Sequence, residues 1–208
     1  MTPTEENNED ESTSRALSDD LRARLTALYE DGRQVADQFR AEASEHGFHP
    51  FVAADYRRAE ETLLSLRRPG LRFLEWGSAT GTITIMADML GFEAFGIELD
   101  PALVAIARAS AEKFGSAARF AVGSFLPAGY HWRSFTGDPR LGTIGYGESG
   151  YEKLGHKLAD FDIIFAYPWG GEEPVMHDLM QRRGGEEALL LLNTTQAVEV
   201  YQHGERVR

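Results

Sequence analysis

Two glutamates, Glu75 and Glu98, each close a short apolar run and each lead into a turn. The first run, RFLEWGSATG at 72–81, is an apolar strand, a carboxylate and a loop of small residues that re-enters as a helix. The second, FGIELDP at 95–101, is a strand that ends on Glu98. Small residues between strand and helix let the backbone approach a ligand, because no Cβ stands in the way. A carboxylate at the tip of the next strand, about 20 residues on, is placed to accept hydrogen bonds from ribose hydroxyls. The pair predicts a nucleoside-binding α/β fold.

A dinucleotide site would carry G-x-G-x-x-G, which leaves a helix N-terminus open to a pyrophosphate. Here the loop runs Glu75-Trp76-Gly77-Ser78-Ala79-Thr80-Gly81, an acid two residues before the first glycine and small residues alternating after it. This arrangement resembles motif I, acid-x-G-x-G-x-G, of the class I S-adenosylmethionine-dependent methyltransferases, and the resemblance covers roughly 71–193. A carboxylate beside the loop suits a cofactor with a sulfonium and an ammonium, and suits a pyrophosphate poorly. The resemblance implies a Rossmann-like doubly wound sheet, S-adenosyl-L-methionine as cofactor and S-adenosyl-L-homocysteine as product. It implies that Glu75 serves the amino-acid end, directly or through water, and that Gly77, Ser78, Ala79 and Gly81 give close backbone approach. Glu98, with Leu99 after it, takes the ribose. Gly123, Ser124 and Phe125 take the adenine, Ser124 by a hydrogen bond and Phe125 by stacking. One departure is Ala79 in place of the middle glycine. A methyl group is tolerable there if φ is negative and crowds the cofactor if the backbone needs φ > 0.

The elements that must hold these residues follow from the patterning. A helix begins at Ser18, with Asp19 and Asp20 in its first turn, and runs to about Ala43 on Leu21, Leu25, Leu28 and Val35. A second helix, about 52–66, buries Tyr56, Ala59, Leu63 and Leu66 and stops before Pro69-Gly70. Strands are predicted near 71–75, 93–98, 118–122, 162–166 and 188–193. Helices are predicted at about 82–90, 101–114 and 174–183, with Pro101 at N1 and with Gly91 and Gly115 just past two helix ends. Short apolar strands alternating with helices make a mostly parallel sheet covered on both faces. The ligand then lies over the strand C-termini, where Glu75, Glu98, Ser124 and Tyr167 converge.

Two regions depart from a minimal α/β fold. The segment 126–160 is far longer than a usual connection and is rich in glycine and aromatics, with a helix expected at 151–158. It springs from the active edge, which points to a lid-like or substrate-recognising insertion. After the fifth strand only QAVEVYQ, 196–202, remains to form a strand, where the resemblance implies an antiparallel pair. An edge left uncovered in this way invites pairing with a second copy.

Composition narrows the functional classes. Of the formal net charge of −12 across 208 residues, half sits in the first twenty, where seven acids face Arg15 alone. Residues 1–17 therefore read as a disordered acidic tail and 18–208 as one domain, with N-terminal helices over 18–70. The rest is only mildly acidic, and Arg57-Arg58, Arg67-Arg68 and Arg182-Arg183 are scattered pairs, so a nucleic-acid substrate is disfavoured. Absence of cysteine excludes disulfides and thiolate chemistry. With no charged-then-apolar leader and no membrane-length apolar run, the expectation is a soluble, cytoplasmic protein.

Methyl transfer from a sulfonium needs mainly a nucleophile held in line with the C–S bond, so the acceptor half is less legible. The fourth strand ends Tyr167-Pro168-Trp169-Gly170-Gly171-Glu172, where many amino-group methyltransferases carry Asn/Asp-Pro-Pro-aromatic. The segment shares the Pro-aromatic core and lacks the amide or acid. Tyr167 and Trp169 are expected to wall a planar or cationic acceptor, with Glu172 or Glu173 as base. His131 and His156 are further candidate bases, and no histidine spacing indicates a metal. The acceptor expected is a small or medium-sized molecule. The rival readings are a degenerate fold of this type acting as a binding scaffold, and a dehydrogenase, which the loop register argues against.

Overall fold

In a computed structural model the described residues are 17–43, 54–132, 147–168 and 171–208. The acidic tail up to residue 16, His46, His49, Trp169 and the middle of the insertion lie outside them.

The alternation read from the sequence becomes one seven-stranded sheet. In chain order its strands are β1 (Arg72–Trp76), β2 (Glu93–Glu98), β3 (Arg119–Val122), β4 (Ile163–Ala166), β5 (Leu189–Asn193), β6 (Val198–Gln202) and β7 (Glu205–Arg206). Their order across the sheet is β3-β2-β1-β4-β5-β6-β7. The first five are parallel and the last two antiparallel, so this is a doubly wound sheet with its strand order reversing beside β1.

The helices are α1 (Asp19–Ala43), α2 (Tyr56–Leu66), α3 (Thr82–Met89), α4 (Pro101–Phe114), α5 (Tyr151–Leu154) and α6 (Glu173–Arg183). Strand alternation divides the core in two. On one face Phe73, Ala94, Phe120, Phe165, Leu191 and Val200 pack under α1 to α4. On the other, Leu74, Trp76, Ile97, Ile164 and Leu192 pack under α5, α6 and Tyr130.

Several boundaries move for local reasons. The second helix starts at Tyr56 because the Asp55 side chain accepts from Arg58 N and caps it there. The helix expected at 151–158 stops at Leu154, where Gly155 turns left-handed (φ 74°), and 158–160 form a single 3₁₀ turn. The C-terminus holds more sheet than expected. His203 (φ 52°) and Gly204 (φ 81°) make a two-residue turn, and β7 pairs back on β6.

The two N-terminal helices pack on α3. Gly32 is the notch that allows it: a Cβ there would lie 2.5 Å from Thr82 Oγ1, on the first turn of α3. This places α1 over the helix that the small-residue loop feeds.

Candidate functional site

Gly77 and Ser78 both donate to Ile97 O (2.9 and 3.0 Å), so the loop after β1 rests on the end of β2. Gly77 has φ 67° and Gly81 φ 79°; around Gly77 a Cβ would meet nothing within 4 Å, so its outer side is open to a ligand. At Gly81 the reason is packing, since a Cβ would strike Phe120 Cζ at 2.7 Å and Ala107 Cβ at 2.8 Å. Ser78 points inward, and its side chain lies against Gly96, where a Cβ would come within 2.7 Å of Ser78 Cβ and Oγ. The backbone does need a positive φ at Ala79: it sits at 44°. Alanine there holds a left-handed conformation at a cost of about 1–2 kcal/mol.

Glu98 lies half-buried at the tip of β2. Its Oε2 accepts from Ala79 N at 3.0 Å and its Oε1 from Asp100 N at 3.0 Å. One carboxylate thus ties the β1 loop to the start of α4, while Asp100 itself caps α4 by accepting from Ala102 N at 2.7 Å. Burial raises the Glu98 carboxyl above its ordinary value, against the pull of these amides. Leu99 beside it is 40% exposed, a free apolar surface next to the carboxylate.

Glu75 is buried at the end of β1, turned toward α3. Its Oε2 accepts from Thr84 N (3.0 Å) and Thr84 Oγ1 (2.5 Å). Burial pushes its carboxyl up to about 8, opposed by the Thr84 hydrogen bonds and reinforced slightly by the charge of Glu98.

The loop after β3 is joined to the insertion. Ser124 N donates to Glu148 O and Ser124 O accepts from Gly150 N, both at 2.8 Å, so the end of the insertion pairs with it as an isolated parallel bridge to Ser149. Gly123 is required because a Cβ there would meet Glu148 O and Gly150 N at 2.7 Å. Ser124 Oγ accepts from Leu126 N at 3.1 Å. Phe125 stacks on Trp76, with ring centroids 5.1 Å apart and planes 18° from parallel. Trp76 Nε1 donates to Tyr151 OH at 2.8 Å. Ser124 and Phe125 are therefore bound into the insertion, and Gly147 closes on Leu99 from above: a Cβ on Gly147 would be 3.3 Å from Leu99 Cδ2. Sequence spacing had no means of showing this pairing.

Tyr167 sits half-buried directly after β4, and Glu172 half-buried at the start of α6, where no side chain caps the helix. Glu173 is exposed in the first turn of α6. Trp169, the third residue expected on the acceptor side, lies outside the described residues. His156 is removed as a base by its position. It packs edge-on against Phe95 (4.7 Å) and Phe161 (5.5 Å), below the strand tips, with Asp160 Oδ2 3.7 Å from Nδ1. His131 is exposed beside Tyr130, whose hydroxyl donates to Asp178 Oδ2 at 2.6 Å. Among the described residues no group of three acids or histidines is placed to hold a metal, and no described helix is long and apolar enough to cross a membrane.

The residues brought together are thus Glu75, Gly77, Ala79, Gly81, Glu98 and Leu99, with Tyr167 on the strand beyond. Over 85 residues the chain is 37% identical to the ribosomal protein L11 methyltransferase of Thermus thermophilus, a match covering 38% of this chain. The chain spans about a third (34%) of that curated relative's length. Among solved structures it is similar to the precorrin-6y C5,15-methyltransferase of Geobacter metallireducens (20% identity, 64% of this chain and 59% of that one, TM-score 0.43). It is also similar to an RNA methyltransferase of Salinibacter ruber in complex with S-adenosyl-L-homocysteine (17% identity, 64% and 72% of the chains, TM-score 0.45). No protein-family profile matches the chain.

Proposed function

We propose that this chain is a methyltransferase of the class I S-adenosylmethionine-dependent type, its subfamily unassigned, and that it transfers a methyl group to a small or medium-sized acceptor. The observation that carries this reading is the Glu98–Ala79 tie, which puts a ribose-type carboxylate at the edge of an open, left-handed loop. The residues present fit S-adenosyl-L-methionine. Glu98 beside Leu99 suits a ribose and the base attached to it, and the open side of Gly77 gives the backbone approach. Glu98 supplies a carboxylate for hydroxyl donors, and a cationic ligand beside the loop would draw the buried Glu75 carboxyl, raised to about 8 in the unliganded fold, toward its charged form.

When bound, that cofactor supplies an electrophilic methyl group with a neutral leaving group. The chain's own task is to hold the acceptor in line with it. Tyr167, one strand beyond the loop, is the acceptor-side residue within the described structure, and Glu172 at the start of α6 is the base we assign. The relative named above acts, by its name, on a ribosomal protein; this chain carries a third of its length, and our acceptor is a smaller molecule.

Calorimetric titration with S-adenosyl-L-methionine and, separately, with S-adenosyl-L-homocysteine tests the cofactor half. Micromolar binding of both is expected. A folded sample that binds neither overturns the reading and leaves a scaffold built on the same fold.

A further inference from the structure

The row of residues at the sheet's C-terminal edge does not end at Tyr167. Trp76 stands opposite Ile97 and Ala166, and Ala166 opposite Leu192. The next residues in register are therefore Glu98, Gly77, Tyr167 and Asn193, on β2, β1, β4 and β5. At about 4.8 Å per strand, Asn193 lies beside Tyr167 and roughly 14 Å across the sheet from Glu98. Leu191 belongs to the core under α1 to α4, and strand alternation returns Asn193 to that same face, the one Glu75 uses to reach Thr84.

Asn193 is 1% exposed, and its Oδ1 has no hydrogen-bond partner. The residues after it are well satisfied. Thr194 Oγ1 donates to Ala197 O at 2.9 Å and accepts from Ala197 N at 3.1 Å and Gln196 N at 3.3 Å. Arg58 Nη1 reaches Thr194 O at 3.5 Å and Thr195 O at 3.4 Å. A turn that satisfies its own polar atoms leaves one buried carbonyl oxygen beside the acceptor position. Such an oxygen destabilises the fold until a donor reaches it.

We infer that Asn193 Oδ1 accepts a hydrogen bond from the nucleophile, which makes the acceptor a nitrogen bearing at least one N–H. This rests on the methyltransferase reading and narrows its substrate class. In the step, a nitrogen lone pair forms the N–C bond while the C–S bond breaks and its pair returns to sulfur. The nitrogen carries positive charge until its proton leaves to Glu172, the base assigned above. A carbonyl oxygen on the N–H turns the lone pair toward the methyl group and stabilises that charge as it develops. Neither an ether-forming hydroxylate nor a thiolate would have a hydrogen to offer Asn193. Asn193 is thus a positioning and specificity residue for nitrogen acceptors.

The test is Asn193→Leu, which keeps the volume and removes the oxygen, with Asn193→Thr as the second variant because it keeps an accepting oxygen. Both are read in thermal unfolding, in S-adenosyl-L-homocysteine affinity, and in tritium transfer from labelled S-adenosyl-L-methionine. The probes are Nα-acetyllysine methylamide and adenosine, set against catechol and 2-mercaptoethanol. The expected result has four parts. Label appears on an N–H probe, transfer falls at least tenfold in Asn193→Leu and recovers in part in Asn193→Thr, cofactor-product affinity stays within twofold, and the melting temperature does not fall. Label on catechol or the thiol alone, label on none of the N–H probes, or unchanged transfer in Asn193→Leu would overturn the inference. So would a lower melting temperature or lost affinity in both variants, since Asn193 would then be structural or a cofactor contact. A wild-type protein that binds no S-adenosyl-L-homocysteine would instead sink the reading beneath it.

Discussion

Glu98 Oε2 accepts the amide of Ala79 at 3.0 Å, nineteen residues back along the chain, and this single contact spans the loop and the tip of the neighbouring strand. The same side chain holds Asp100 N with its other oxygen. Replacing Glu98 by alanine removes a ligand group and the tie together. The expected outcome is a loss of about 1–3 kcal/mol in S-adenosyl-L-homocysteine binding, or roughly five- to 150-fold in dissociation constant. Calorimetry checks it, and an unchanged constant would take Glu98 out of the site.

Ala79 at φ 44° stores strain that glycine would release. Ala79→Gly should stabilise the fold by about 1 kcal/mol, raising the melting temperature by roughly 2–4 °C for a chain of this size. The loop amide facing Glu98 is kept, so affinity for the cofactor product should hold or improve. A fall in melting temperature would mean that glycine's extra freedom in the unfolded chain outweighs the strain at this position.

Glu75 makes stability depend on pH in a direction opposite to most carboxylates. Burial raises its folded value to about 8, above the ordinary carboxylate value. Between the two values the folded state holds a proton that the unfolded chain releases. The contribution is therefore complete below about pH 4.3, declines as pH rises, and is gone above the folded value near 8. Glu75→Gln, which cannot titrate, should flatten this part of the curve. Melting temperatures of both proteins from pH 5 to pH 9 decide it; parallel curves would exclude a proton on Glu75.

Ser78 and Gly96 form a contact with no room in it. A Cβ on Gly96 would lie 2.7 Å from Ser78 Oγ and 2.7 Å from Phe120 Cδ1. Gly96→Ala should cost about 1–3 kcal/mol by overpacking and lift the loop away from β2. Urea unfolding would show the first effect and calorimetry with S-adenosyl-L-homocysteine the second. Full stability with full affinity would mean that the loop does not rest on β2 as described.

What was legible in the sequence was local. Glu75, Glu98 and the loop residues between the strands could be placed because strand, turn and helix follow one another within a few residues and each has its own pattern. The five parallel strands were readable for the same reason. The pairing of Ser124 with Ser149 was not, because a single bridge between segments far apart in the chain leaves no periodicity. Nor was the stacking of Phe125 on Trp76, a contact between side chains 49 residues apart. β7 is two residues long, too short for alternation to register, although His203-Gly204 between two polar ends is a turn signal. Asn193 passed as an ordinary strand end; only its unpartnered oxygen sets it apart, and hydrogen-bond satisfaction is a property of the fold rather than of the residue.

The insertion is clamped at both of its stems, by Tyr130 on Asp178 at one and by Ser149 on Ser124 with Tyr151 on Trp76 at the other. Such stems behave as fixed abutments. Each stem is tied to the rest of the fold on its own, so the two ends of the insertion hold their places independently, and the loop, Glu75 and Glu98 stay where the sheet puts them.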